Sequence, residues 1–244
     1  MIGAEGLRRL RSAHVAVVGL GAVGGYAVEA LARAGVGRLR LVDSDVLRPS
    51  NLNRQLHALE STLGVPKVEA ARRRIEDINP ACGVEPLRLF VHVDTMDQVL
   101  AGPPDLILDA IDSYTPKLEL LSAVLQRGLT AISSMGAASR TDPALVRTGL
   151  LSDVAGCPLA RALRKGLRRR GLSTDVPCVY SEEPASPRFV GGMEEAEESD
   201  EAPHRRGRRR RILGSLPTLT GIFGLTAANL ALRLLLGDLF PRGD

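Results

Sequence analysis

The segment Gly19-Leu-Gly21-Ala-Val-Gly24 follows the apolar run His14-Val-Ala-Val-Val18 and opens a helical pattern. Glycines at this spacing permit a tight turn and close backbone approach, and the helix that follows offers unpaired N–H groups to a phosphate. Asp43 ends the next apolar run, at the position where an acid accepts a ribose hydroxyl in a dinucleotide-binding unit. This combination reads as a nucleotide site, and the residues downstream decide which nucleotide.

The strand ending in Leu41-Val42-Asp43 continues as Ser44-Asp45-Val46, and the next loop reads Ser50-Asn51-Leu52-Asn53-Arg54-Gln55. A dinucleotide dehydrogenase needs only Asp43 here and would leave Asn51, Arg54 and Gln55 idle, whereas a triphosphate uses them, because a guanidinium fork matches phosphate oxygens. Gly64-Val-Pro66-Lys67 opens a further helix with proline in its first turn, where the missing N–H costs nothing. A lysine there opposes the macrodipole by about 0.3–1 kcal/mol, and an intervening phosphate reverses the sign. Taken alone, Lys67 reads as a solvated surface lysine. Asp112, in Asp109-Ala-Ile-Asp112-Ser113, lies just past an apolar run, on the ligand side of such a sheet. It could position magnesium or cap the following helix, a role open equally to Ser113 or Thr115.

These side chains need a scaffold. Apolar runs at 14–18, 38–42, 84–90, 106–110 and 131–134 alternate with helical patterns near 24–35, 66–79, 95–100 and 116–127. The alternation predicts an α/β fold with a Rossmann-like, doubly wound, mainly parallel sheet whose carboxyl edge gathers ligands. Beyond Met135 the pattern gives a strand at 146–150, a basic helix at 158–170 and a loop of Pro and Glu, a half expected to shape the site of a second substrate. The apolar segment 216–236 is interrupted by Thr218, Thr220, Thr226, Asn229 and Arg233, so it reads as a buried or dimer-packed helix rather than a membrane span.

With 244 residues, 44% hydrophobic content and no internal repeat, residues 1–244 are expected to form a single domain. Aromatic content of 3% with no Trp argues against base-stacking platforms. The net charge of +4 is segregated: Glu194, Glu195, Glu197, Glu198, Asp200 and Glu201 precede six arginines ending at Arg211. Residues 184–211 therefore read as a charged insertion, disordered without a ligand. Cys82, Cys157 and Cys178 form no CxxC pair, which suggests a reducing cytoplasm with no disulfide framework and no structural zinc. Cys157, at a helix N-terminus, could be reactive, while Cys178 reads as a small apolar residue. The start carries Arg8, Arg9 and Arg11 without an apolar stretch, unlike a secretory signal.

In this order and spacing, the glycine loop, Asp43-x-Asp45, Ser50 to Gln55, Gly64-x-x-Lys67 and Asp109 to Ser113 resemble the ubiquitin-activating-enzyme-like adenylating superfamily of ThiF/MoeB/HesA type. The resemblance covers residues 13–141 and resumes at 178–184 and 215–225. Three segments are most similar to the tRNA threonylcarbamoyladenosine dehydratases: Asp112-Ser-Tyr-Thr-Pro-Lys117, Cys178-Val-Tyr-Ser-Glu182 and Gly214-Ser-Leu-Pro-Thr-Leu-Thr-Gly-Ile-Phe-Gly224. The two CxxC zinc pairs typical of sulfur-carrier activators do not occur.

The resemblance implies that Gly19, Gly21 and Gly24 bracket ATP, that Asp43 holds the ribose with Asp45 in the same site, and that Asn51, Arg54, Gln55 and Lys67 meet the phosphates. Arg54, Lys67 and Asp112 would be catalytic, with Asp112 facing Mg2+. The implied reaction is ATP-dependent dehydration of threonylcarbamoyladenosine beside the anticodon, and the alternative is adenylation of the Gly-Gly end of a ubiquitin-like sulfur carrier. Implied partners are tRNA carrying threonylcarbamoyladenosine, a second copy of the chain and, in some organisms, cysteine-desulfurase machinery; membrane association is not implied. Arg161, Arg164, Lys165, Arg168, Arg169 and Arg170 would grip tRNA phosphates, with a weaker case for the run ending at Arg211. Two departures stand out. The Arg-, Tyr- and Gly-rich segment expected upstream of the first strand does not occur in these residues, so either the start is truncated or Arg8, Arg9 or Arg11 supplies any cross-subunit arginine, and residues 193–211 are an insertion.

Overall fold

A computed structural model describes residues 1–184, 190–193 and 211–241. The first strand, β1 (His14–Val18), is buried along its whole length, as its near-continuous Val and Ala content requires of a central parallel strand. It is flanked by β2 (Arg38–Val42) and by β4 (Leu106–Asp109), both parallel to it. With β3 (Gly83–Leu87), β5 (Ala131–Ser134), β6 (Val146–Leu150) and β7 (Pro177–Ser181) they form one seven-stranded sheet in the order β3-β2-β1-β4-β5-β7-β6. Only β6 runs antiparallel, paired with β7. The chain reverses its direction of travel across the sheet between β1 and β4, which makes that crevice the switch point where ligands bind in doubly wound folds.

One face of the sheet is covered by α1 (Gly3–Ser12), α2 (Gly24–Arg33), α3 (Lys67–Ile78) and α7 (Pro217–Leu236), whose apolar residues join those of β1 and β2 in one core. The other face is covered by α4 (Met96–Val99), α5 (Tyr114–Gln126) and α6 (Pro158–Arg169). Glycine sets how closely α7 lies on α2: a Cβ on Gly224 would sit 2.3 Å from the Val23 carbonyl oxygen. Residues 217–239 are apolar and long enough to cross a membrane, but half of their most apolar stretch is buried in this packing.

Some boundaries differ from the sequence expectation. β3 stops at Leu87 rather than 90, because the Leu89 N–H turns back onto the Leu87 carbonyl at 2.9 Å. α5 begins at Tyr114 rather than 116, and Pro116 is tolerated in its first turn because the N–H it lacks would be unpaired there. The segment 177–181, read as loop, is a strand because β5 and β6 supply partners on both sides. α1 had no counterpart in the sequence reading. The charged insertion expected at 184–211 lies mostly outside the described residues; within it, β8 (Val190–Met193) pairs antiparallel with β9 (Arg211–Leu213), which begins at its last residue.

Candidate functional site

The glycine loop joins β1 to α2 at the carboxyl edge. Gly19 has φ +91°, and a Cβ there would lie 3.0 Å from the Ala110 backbone, so both conformation and space demand glycine. A Cβ on Gly24 would lie 1.8 Å from the Gly19 carbonyl oxygen, whereas one on Gly21 would meet nothing nearer than Gln55 Nε2 at 3.9 Å. Asp43 fastens the loop to β2: its Oδ2 accepts the Leu20 N–H at 2.7 Å and its Oδ1 accepts the Asp45 N–H at 2.9 Å. Burial pushes the Asp43 carboxyl above its ordinary range, while Lys67 and the two N–H donors pull it back.

Lys67 corrects the expectation of a solvated lysine. It is 7% exposed at the start of α3, and its Nζ lies 2.9 Å from Asp45 Oδ2 and 3.8 Å from Asp43 Oδ1. The Asn51 side chain closes a short turn by accepting the Arg48 N–H at 3.1 Å. Gln55 is buried, and its Oε1 has no partner among the described residues. Arg54 donates from Nη1 to the Ser50 carbonyl and to Asn53 Oδ1, both at 2.7 Å, and pairs with no carboxylate among the described residues. His57 was not singled out from sequence. It is 7% exposed, its Nε2 has no partner among the described residues, and a Cβ on Gly25 would lie 3.1 Å from its Nδ1. Burial pushes the His57 ring down to about 4, so it is neutral at neutral pH and packs the loop bearing Arg54 and Gln55 against α2.

At the end of β4, Asp109 and Lys117 are both fully buried and lie 2.8 Å apart. Asp109 also accepts the Ser133 hydroxyl at 2.7 Å and the Ile111 N–H at 3.1 Å, and Lys117 donates to the Ile111 carbonyl at 2.8 Å. This clamp fixes the loop that carries Asp112 to the carboxyl edge. Both clamp residues stand in motifs visible in the sequence, but their burial does not. Asp112 is exposed and has no hydrogen bond or ion pair among the described residues. It does not cap α5: Ser113 occupies the N-cap position, without a side-chain cap. A single free carboxylate suits Mg2+, which keeps most of its water and binds through one or two carboxylates plus substrate phosphates. No cluster of three or more metal-ligating side chains occurs among the described residues.

The basic helix divides in two. Arg164 donates to the Leu151 and Val154 carbonyls at 3.0 and 2.6 Å, and Arg170 pairs with Glu119 at 2.7 Å, so these two are committed to the fold rather than free for phosphate. Arg161, Lys165, Arg168 and Arg169 are exposed, form no ion pair among the described residues, and line a groove of about 430 Å³ together with Arg164. Gly166 of this helix packs on Tyr114, two residues from Asp112: a Cβ there would lie 2.6 Å from the Tyr114 hydroxyl. All three cysteines are free and buried. Burial pushes Cys178 up to about 12 and Cys82 up to about 11. Cys157, at 3% exposure, is not an accessible thiol, which corrects the reactive reading.

The sequence profile of the ThiF family matches residues 1–243. The tRNA threonylcarbamoyladenosine dehydratase of Bacillus subtilis is 44% identical over 182 residues, 75% of this chain and 72% of its own. Its Escherichia coli counterpart is 32% identical over 251 residues, covering 100% of this chain and 93% of its own. The solved structure of E. coli tRNA N6-threonylcarbamoyladenosine dehydratase, TcdA, in complex with ATP matches with a TM-score of 0.83 at 30% identity, over 97% of this chain and 90% of that one.

Proposed function

The chain belongs to the ThiF family, and we propose that it is an ATP-dependent enzyme that dehydrates threonylcarbamoyladenosine in tRNA. The observation that carries this reading is the pair of cations at one edge of the switch point. Arg54 has no carboxylate partner among the described residues, and Lys67 is held buried beside the ribose acid. A dinucleotide site has no use for them. The match to dehydratases along nearly the whole chain supports the same choice.

In this reading the ribose of ATP sits on Asp43 and the triphosphate lies over the glycine loop and the N-terminus of α2, within reach of Asn51, Arg54, Gln55 and Lys67. The threonyl carboxylate attacks the α-phosphorus, giving an acyl-adenylate and pyrophosphate. The carbamoyl group of the same nucleoside then attacks the acyl carbon, closes a ring and expels AMP, which carries away the oxygen lost as water. Arg54 and Lys67 stabilise charge that develops on the transferring group. Asp112 would hold Mg2+, which when bound neutralises phosphate charge. The second nucleophile is tethered in the substrate, so proximity supplies much of that step without an enzyme cysteine. The exposed face of α6 takes tRNA phosphates, a homodimer is the working assembly, and the cytoplasm is the site of action.

The test is to incubate the protein with ATP, Mg2+ and tRNA carrying threonylcarbamoyladenosine, then to measure AMP and the nucleosides by mass spectrometry after a gentle work-up. A dehydrated nucleoside matched by AMP supports the reading, and Arg54→Ala or Lys67→Ala should fold normally but lose most pyrophosphate release. AMP formed only with a Gly-Gly-ended carrier protein would replace it with sulfur-carrier activation.

A further inference from the structure

The carboxyl edge carries a second set of polar groups, apart from those assigned above to the nucleotide. The loop leaving β5 runs Met135-Gly-Ala-Ala-Ser139-Arg140-Thr141. Arg140 is 2% exposed, and its Nε and Nη1 have no hydrogen-bond partner among the described residues. Ser139 is 5% exposed with an unpartnered Oγ, and its φ of +59° is the one positive value on a non-glycine residue among the described residues. Unpartnered buried donors, a buried cation and a left-handed backbone on a serine each cost stability, and such costs cluster where a ligand later offsets them.

The loop is held in place by its neighbours. Met135 N–H donates to the Val179 carbonyl at 2.8 Å, and Ser139 N–H to the Gly214 carbonyl at 2.9 Å. Hydrogen bonds from the Asp142 N–H and from Thr141 hold the Glu183 carboxyl below the usual range, and the Arg140 guanidinium adds to this from outside ion-pair distance. The Glu183 carboxylate is already occupied by the Thr141 N–H, the Thr141 hydroxyl and the Asp142 N–H, at 2.7, 3.0 and 2.9 Å.

Strand order decides what these groups can meet. With the ribose on Asp43 after β2 and the phosphates over the β1 loop toward Asp112 after β4, the side left for a second substrate is that of β5 and β7. We propose that Ser139 and Arg140 form the binding site for the carboxylate of the threonylcarbamoyl group, holding one oxygen while the other attacks ATP. This rests on the dehydratase reading above and adds the residues that select the acyl group. A carboxylate at the tip of a base modification can reach a guanidinium buried this deeply, whereas a backbone phosphate stays at the surface with its ribose.

The experiment compares wild type with Arg140→Met and Ser139→Gly in steady-state pyrophosphate release against the concentration of modified tRNA. Thermal protection by ATP with Mg2+ and binding of tRNA lacking the modification are measured in parallel. Both variants should fold with a melting temperature at or above that of wild type, since one removes an unpaired buried charge and the other relieves the positive φ. ATP protection and unmodified-tRNA binding should be unchanged, while the KM for modified tRNA rises about tenfold or more. Destabilisation of Arg140→Met together with an unchanged KM in Ser139→Gly would make the pair structural and overturn the proposal. Equal weakening toward unmodified tRNA would assign a backbone phosphate instead, and loss of ATP protection would assign the nucleotide. Absence of wild-type turnover sinks the dehydratase reading and this site with it, whereas wild-type turnover with an unchanged KM in both variants sinks the site alone.

Discussion

Acidification should destabilise the protein through His57. The ring is held neutral by burial, titrating at about 4 against an ordinary 6.5. The unfolded chain therefore takes up a proton on His57 below the ordinary value, and the folded chain does so only near the lowered one. The contribution of His57 to stability is present above the ordinary value and is lost as pH falls from 6.5 toward about 4. The full loss is roughly 3 kcal/mol; between about pH 7.5 and about pH 5.5 it amounts to about 1.3 kcal/mol. The comparison is urea unfolding of wild type and His57→Leu across that interval. His14 is also pushed down by burial and titrates in the same direction, but it is present in both proteins and cancels in the difference. The variant should have the shallower pH dependence by about 1.3 kcal/mol. Parallel curves would refute the assignment of a buried neutral imidazole. Because the ring packs the Arg54–Gln55 loop against Gly25, wild type should also lose protection by ATP ahead of global unfolding as the pH falls.

Two glycines of one loop should respond differently to the same methyl group. Gly24→Ala drives a Cβ to 1.8 Å from the Gly19 carbonyl oxygen and should lower the melting temperature by several degrees, whereas Gly21→Ala meets nothing within 3.9 Å and should melt like wild type yet lose protection by ATP. Full ATP protection in Gly21→Ala would remove the phosphates from this loop. Lys117→Met leaves Asp109 buried without its counter-charge and should cost about 3–5 kcal/mol in denaturant unfolding, much of it recovered by adding Asp109→Leu. A loss below about 1 kcal/mol would show that the pair contributes little to holding the Asp112 loop.

The elements that position the site were legible because each depends on local pattern. The Val and Ala of β1, the glycines after it and the Pro66-Lys67 start of α3 carry their own signals of strand, turn and helix. Asn51, Arg54, Gln55 and Lys67 stood out as polar residues with no local reason to be there, and local rules are most often broken where a ligand supplies the reason. What stayed hidden was burial. His57, Asp109, Lys117 and Arg140 look like ordinary surface residues in the sequence, and only the packing of separate strands and helices takes them out of water. The same blindness left the basic helix undivided in the sequence: nothing local distinguishes Arg164, spent on the Leu151 and Val154 carbonyls, from the free Lys165 beside it. The strand at 177–181 was missed for a related reason, since its neighbours across the sheet make it a strand.

The cluster of Lys67, Asp43 and Asp45 does little for folding, which bears on why the chain keeps it. Lys67 opposes the macrodipole of α3 by about 0.3–1 kcal/mol. Its closest partner, Asp45, is 58% exposed, so that ion pair is of the surface kind, worth about 0–1 kcal/mol. Asp43 remains above its ordinary range even with Lys67 beside it, so burial outweighs the attraction there. The three charges come close to cancelling as a stabilising device and sum to one net negative charge beside the glycine loop. A net negative site would repel a triphosphate unless cations join it. Arg54, tethered only to neutral oxygens, supplies one, and a cation on the otherwise unpaired Asp112 supplies another, arriving with the nucleotide. The arrangement is weak as a fold element and close to balanced as a receptor for a metal-bound polyphosphate.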